Sequence, residues 1–164
     1  MQSRRSCKGA PAFSHYSSDM FEKILTVCTG NICRSPLAEF LLREHLANAG
    51  KKAEVRSAGI GALIGHPADE TAASVALTHG TSLEGHHAQQ ITIQLCRWAD
   101  LILVMEQHHL DYVTDIDATA RGKTFLLGHW SKREIPDPYR KGEAAHQQAY
   151  AEISSAVTSW ISKL

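Results

Sequence analysis

An apolar run, Ile24-Leu25-Thr26-Val27, ends in Cys28; Thr29 to Ser35 then read TGNICRS, and Pro36 opens a helical pattern. This segment constrains the fold more than any other, because it specifies a buried strand, a tight loop and a helix start in succession. Gly30 and Asn31 are residue types that readily take positive φ, as a loop folding its amides inward requires. Ser35 suits a helix N-cap and Pro36 the first helical turn. The N–H groups of such a loop, together with the positive end of the helix, form a cradle for a tetrahedral oxyanion.

The residues on the cradle point to phosphoryl chemistry. Loop amides and Arg34 favour a thiolate at Cys28, the species able to attack phosphorus. Arg34 offers a planar fork that can hold two phosphoryl oxygens, which a lysine could not do with the same geometry. Thr29, Gly30, Asn31, Ile32, Cys33 and Ser35 complete the binding loop, and the Ser35 hydroxyl can donate to the Cys28 sulfur. A leaving group needs an acid. Asp137, held between Pro136 and Pro138 and followed by Tyr139, sits in extended or turn geometry outside any helix. It is expected to protonate the departing oxygen and then to activate the water that cleaves a phosphocysteine. Tyr139 would wall the pocket, so that a long, flat phosphotyrosine reaches Cys28 while short phosphoserine and phosphothreonine do not. Cys33 shares the loop with Cys28, and peroxide is expected to join the two through a sulfenic acid if their Cα atoms approach within about 7 Å.

The 164 residues, 43% of them hydrophobic, suit one domain with a full core. Zero net charge gives no global basic surface for nucleic acid or a membrane. No apolar stretch approaches the roughly 18 residues of a membrane span, so a cytoplasmic location is expected. Cys7, Cys28, Cys33 and Cys96 then read as free thiols. Residues 1–19 are Ser-rich and lack periodicity, and are expected to be a mobile extension before a domain spanning 20–164.

Strand and helix patterns alternate from there. Strands are expected at 24–28, 54–57, 101–105 and 124–127, and helices at 36–48, 69–79, 91–98, a segment ending near 112, and 143–164. The first helix places Leu37, Phe40, Leu41 and His45 at helical spacing, and the last carries a stripe of Ile153, Val157, Trp160, Ile161 and Leu164. The fold class is therefore α/β: a four-stranded parallel sheet with helices on both faces and the phosphate loop at the end of the first strand. The adjacent pairs His86-His87 and His108-His109 lack the i, i+4 spacing of a metal site, so no metal is expected. Trp98 and Trp160 read as packing residues, and Trp130, close upstream of Asp137, is placed at the site rim.

The loop from Cys28 to Ser35 with Asp137-Pro138-Tyr139 resembles the low-molecular-weight protein-tyrosine phosphatases, over about 22–163. Stretches such as RSAGIGAL, SLEGH, LILVME, GHW and IPDPYRKG resemble the bacterial subgroup associated with exopolysaccharide and capsule production. The resemblance implies phosphotyrosine hydrolysis with no cofactor, Cys28 as nucleophile, Arg34 as phosphate ligand and Asp137 as general acid. It adds Asn31, Ser35, Ser57 and His86 as the hydrogen-bond network that supports the loop. Leu63 stands where eukaryotic members carry an aromatic wall, Arg140 where they often carry a second tyrosine, and Gln89 where an arginine is common. The implied partner is a phosphotyrosine protein, a membrane-anchored bacterial tyrosine autokinase, met by a monomeric enzyme. Two alternatives share the cradle. A thiol-dependent arsenate reductase would need relay cysteines near the end of the third strand, where Met105-Glu106 stand, and a non-catalytic phosphotyrosine-binding module would need neither Cys28 nor Asp137.

Overall fold

Continuous burial along the central strands shows how the sheet is made. The computed structural model describes residues 21–164; the expected mobile extension at 1–19, with Cys7, lies outside the described residues. Strand β1 (Lys23–Cys28) sends Ile24 and Cys28 to one face and Leu25 and Val27 to the other. Strand β3 (Leu101–Val104) repeats the pattern, with Leu101 and Leu103 on the first face and Ile102 and Val104 on the second. Both strands are apolar on both faces, as a parallel sheet covered on two sides demands. With β2 (Glu54–Gly59) and β4 (Thr124–Leu126) they form one sheet of order β2-β1-β3-β4, parallel throughout.

Helices cover both faces, as expected from the alternation. Helix α1 (Arg34–Asn48), α2 (Glu70–Thr78) and α5 (Glu143–Ile161) supply Leu37, Leu41, Leu42, Ala76, Ile153, Val157 and Trp160 to the core on the Ile24 side. Helix α3 (Ile93–Trp98) and α4 (Gln107–Ile116) supply Cys96 and Val113 to the opposite core. Each large side chain buried in this way contributes about 1.5–3 kcal/mol.

Local details differ from the sequence reading. Helix α1 begins at Arg34 with Cys33 as its N-cap, so Ser35 lies inside the first turn and uses its hydroxyl elsewhere. Its buried face runs through Leu37, Ala38, Leu41, Leu42 and Leu46, while Phe40 and His45 are half-buried. In α5 the stripe holds for Ile153, Val157 and Trp160, but the helix ends at Ile161, short of the buried Leu164, Ile161 is only half-buried and His146 joins the inner face. Asp69 and Thr92 cap α2 and α3 by accepting from Ala72 N and Leu95 N, which sets those starts a residue or two later than expected. Among the described residues no helix is long and apolar enough to cross a membrane.

Candidate active site

Cys28 ends β1 at the carboxyl edge of the sheet, where parallel α/β folds bind ligands. The loop that follows is held from outside, carbonyl by carbonyl. Cys28 O accepts from Ile60 N at 3.0 Å, Thr29 O from Gly61 N at 3.0 Å and Gly30 O from Leu63 N at 3.1 Å. Asn31 O accepts from His86 Nε2 at 2.6 Å, and Ile32 O from Asp69 N at 2.8 Å. In a planar trans peptide the next residue's N–H points opposite to the carbonyl. Five carbonyls engaged outside therefore turn the amides of Thr29 to Cys33 inward, a geometry able to receive an oxyanion.

Asn31 is the keystone of that shape. It is fully buried with φ 59, the left-handed region that asparagine tolerates. Its Nδ2 donates to Ser35 Oγ at 2.8 Å and to Ser57 Oγ at 2.9 Å, while its Oδ1 accepts from Gln89 N at 2.8 Å. Ser57 Oγ donates on to Glu39 at 2.6 Å, and Gln89 Nε2 donates to Ser57 O at 3.0 Å. Ser35 Oγ, having accepted from Asn31, lies 2.9 Å from Cys28 Sγ and can donate to the sulfur. Gly30, by contrast, does not take positive φ, and a Cβ there would meet only ordinary contacts with Ile32 and Leu63. The glycine the loop requires is Gly59. It pairs with Cys28 across the sheet, and a Cβ on it would collide with the Thr29 carbonyl oxygen and stand 3.0 Å from Asn31 N.

Arg34 is 1% exposed and its charge is faced by two carboxylates. Nη1 pairs with Glu106 and donates to Ile135 O at 2.7 Å; Nη2 lies 3.8 Å from Asp137 Oδ2. Nε is buried with no acceptor from the protein, a donor left for a ligand on the loop. Leu63, Tyr139 and Asp137 line one pocket with Cys28 and Arg34. Asp137 Oδ1 accepts from Tyr139 N at 3.0 Å, and Arg140 spreads its guanidinium 5.2 Å above the Tyr139 ring.

The sequence reading did not single out Glu106, His109 or Gly59. Glu106 follows β3 and His109 lies on α4; each reaches the loop across more than seventy residues of chain. His109 Nδ1 accepts from Glu106 N at 3.0 Å, so Nε2 carries the proton and donates to Thr29 Oγ1 at 2.9 Å. Burial, with lesser contributions from Arg34 and His108, lowers the His109 pKa to about 3, so this ring is neutral. The position at the carboxyl end of a central strand was the available signal for Glu106. Trp130 is not at the rim. It packs 5.2 Å from Trp160 and 4.6 Å from His129, beside a separate cleft between the segment from Leu127 to Ile135 and α5.

Among the described residues two further cysteines, Cys33 and Cys96, are buried free thiols. Cys96 is fully buried on the opposite face of the sheet, its thiol raised to about 11 by burial and then by Asp117. Cys33 borders the pocket, and burial, then Asp69, Cys28 and Asp137, push its thiol far up.

Comparison with known proteins agrees with this architecture. The family described as low molecular weight phosphotyrosine protein phosphatase matches residues 23–164. The protein-tyrosine-phosphatase Etp of Escherichia coli is 49% identical over 145 residues, 88% of this chain and 95% of Etp. Wzb of Salmonella typhimurium is 50% identical over 146 residues, again 88% of this chain and 95% of the relative. The crystal structure of Escherichia coli Wzb in complex with phosphate superposes with a TM-score of 0.83 at 48% identity, covering 92% of this chain and 97% of that one. With a loop, pocket and sheet of this form, the chain belongs to the low-molecular-weight protein-tyrosine phosphatase family and is a protein-tyrosine phosphatase.

Proposed function

We propose that this enzyme hydrolyses phosphotyrosine in two steps through a phosphocysteine at Cys28. The inward-facing amides of Thr29 to Cys33 carry the proposal, because such a loop can take phosphoryl oxygens and bring the phosphorus to the Cys28 sulfur. Arg34 supplies Nε and Nη2 to the transferring group, and its pairing with Glu106 and Ile135 O holds the guanidinium in place beforehand. The Cys28 thiolate forms the S–P bond as the P–O bond to the phenol breaks, and Asp137 gives that oxygen its proton. Water then attacks phosphorus, Asp137 takes the proton back, and inorganic phosphate leaves the regenerated thiolate. Ser35 donates to the sulfur as it leaves phosphorus.

Leu63 and Tyr139 suit an aryl group between them, and Ser57 and His86 act only by holding the loop. The proposed working unit is a cytoplasmic monomer comprising 20–164, and the proposed substrate is the tyrosine-rich tail of a bacterial autokinase of polysaccharide export. The cradle, Arg34 and a facing carboxylic acid favour hydrolysis over the reductase alternative, which would leave Asp137 without a task. In Cys28→Ser, turnover of an aryl phosphate falls below about one percent while oxyanion binding and fold persist. Activity above that level would reject the nucleophile. The same variant incubated with lysate of the native organism captures a phosphotyrosine kinase tail; capture of phosphoserine proteins alone would reject the substrate.

A further inference from the structure

We propose that Cys33, Asp69 and His146 form a binding site for a thiophilic divalent cation of the zinc type, where the phosphate loop meets the starts of α2 and α5. The Cys33 sulfur, an Asp69 carboxylate oxygen and a His146 ring nitrogen lie within 4.8 Å of one another. His146 Nε2 stands 3.6 Å from Asp69 Oδ2, too far for a hydrogen bond. Tetrahedral bonds of about 2.0–2.2 Å to nitrogen and oxygen would separate those donors by roughly 3.3–3.6 Å. That pair already spans the required distance, and the Cys33 sulfur lies within 4.8 Å of both. Spacing along the chain gives no sign of the site, because its residues come from three separate segments.

The donor set is selective. Thiolate, imidazole and one carboxylate suit zinc or cobalt(II), whereas magnesium and calcium take oxygen ligands. Cys33 and His146 are 5% and 4% exposed, and the Asp69 side chain, 20% exposed, opens a way in. Ala72, Val75 and Ile153 line part of a small cavity that Cys33, His146 and Arg34 also border, a largely apolar wall that strengthens charge interactions within it. A thiolate and a carboxylate cancel the charge of a dication, so the filled site is neutral. The nearest fixed cation, Arg34, is already faced by Glu106 and Asp137.

On binding, a metal–sulfur bond replaces the Cys33 S–H bond and the proton passes to solvent, with no change of oxidation state. His146 gives its Nε2 lone pair and keeps its proton on Nδ1, and water takes the fourth position. Residues 33, 69 and 146 meet only in the folded chain, so the metal binds the folded state and stabilises it. It also clips Cys33, whose amide belongs to the anion cradle, to the two helices that flank the acid loop.

The test uses the full chain carrying Cys28→Ser, which removes the neighbouring sulfur, and Co²⁺ as the probe. Titration should give visible bands of tetrahedral cobalt, a near-ultraviolet thiolate-to-cobalt band and a higher Tm. His146→Phe in that background should weaken Co²⁺ binding more than about 100-fold and abolish the Tm rise, exceeding the 10–100-fold cost of losing an outer-shell partner. Asp69→Asn keeps an oxygen for the Ala72 amide and so preserves the helix cap, yet should also weaken binding. It decides the matter if His146→Phe does not fold. No thiolate band in Cys28→Ser, or a band and Tm rise unchanged by either substitution, overturns the site.

Discussion

The phosphate loop and the acid loop carry the proposed nucleophile and the proposed acid, yet they are held in opposite ways. From Cys28 to Ile32 every carbonyl has an outside donor, and Asn31 spends its amide group on Ser35, Ser57 and Gln89. Around Asp137 the ties are few and mostly local: Tyr139 N to Asp137 Oδ1, Lys141 N to Pro138 O, and the anchor of Ile135 to Met105 and Arg34. The Asp137 side chain remains 43% exposed, whereas Asn31 is fully buried. A left-handed asparagine and inward-facing amides are costly conformations, and they persist only where the surroundings over-determine them. As the proposed acid, Asp137 has to reach leaving groups of different shape, and two flanking prolines with one buried ring, Pro138, are enough to aim it.

If that contrast is right, the most damaging single methyl group lies outside the loop altogether. Gly59→Ala drives a Cβ into the Thr29 carbonyl and crowds Asn31 N, so the cradle must shift. Losing one oxyanion donor costs about 10²–10³ in rate, and misplacing several should exceed about 10⁴. Overpacking adds roughly 1–3 kcal/mol of destabilisation. Steady-state kinetics and thermal melts read both, and activity within tenfold of the parent would show that the loop is not over-determined.

Asp137→Ala tests the lightly held side. It should lower the rate by about 10²–10⁴ for aryl phosphates with poor leaving groups and much less for good ones. Its Tm should move little, since the side chain anchors a local turn and Arg34, which it faces only at 3.8 Å, keeps its closer partner Glu106. Equal losses across leaving groups would remove the acid role, and a large Tm drop would remove the contrast between the loops.

How much of this was legible in advance follows the same division. Cys28, Arg34, Ser35 and Asp137 announce themselves through neighbours in the chain: an apolar strand before, a proline after, prolines on either side. The sheet is legible because its central strands are apolar on both faces. Ser57 and His86 came only through resemblance, since a serine on a strand and a histidine in a loop carry no local signal. Glu106, His109 and Gly59 were missed because their roles arise from approach in space, 72 and 80 residues apart for the first two and across a sheet register for the third. Gly30 misled for the converse reason. Its type suggests a special backbone, but Asn31 takes that conformation.

His109 gives a smaller and pH-dependent test of the loop's support. Its folded pKa of about 3 lies below the ordinary value of 6.5, so between those values the unfolded chain binds a proton that the folded chain refuses. The stabilisation is complete above about pH 6.5 and is lost as pH falls toward 3; from the size of the shift it amounts to about 3–5 kcal/mol at most. In His109→Asn the melting temperature should be lower at pH 7.5 but fall less steeply with acid. Parallel profiles for the two proteins would mean that His109 does not titrate as a buried neutral ring.

The smallest expected effect belongs to the exposed end of the acid loop. Arg140 and Lys141 are solvated, and Arg140 holds φ 61 with its guanidinium over Tyr139. Exposed charges contribute little to stability, but a basic pair beside the pocket mouth can draw in an anionic, multiply phosphorylated tail. The double substitution Arg140→Gln with Lys141→Gln should reduce kcat/KM for such a peptide several-fold, up to about tenfold, at low ionic strength. The difference should vanish toward 1 M salt, where the Debye length shrinks to about 3 Å. A small aryl phosphate has no remote charge for the pair to attract beyond its own phosphoryl group, so its kcat/KM should change far less. A salt-independent loss, or equal losses on both substrates, would instead mean that Arg140 acts by stacking on Tyr139 and shaping the wall, and would count the outer acid loop with the fixed part of the site.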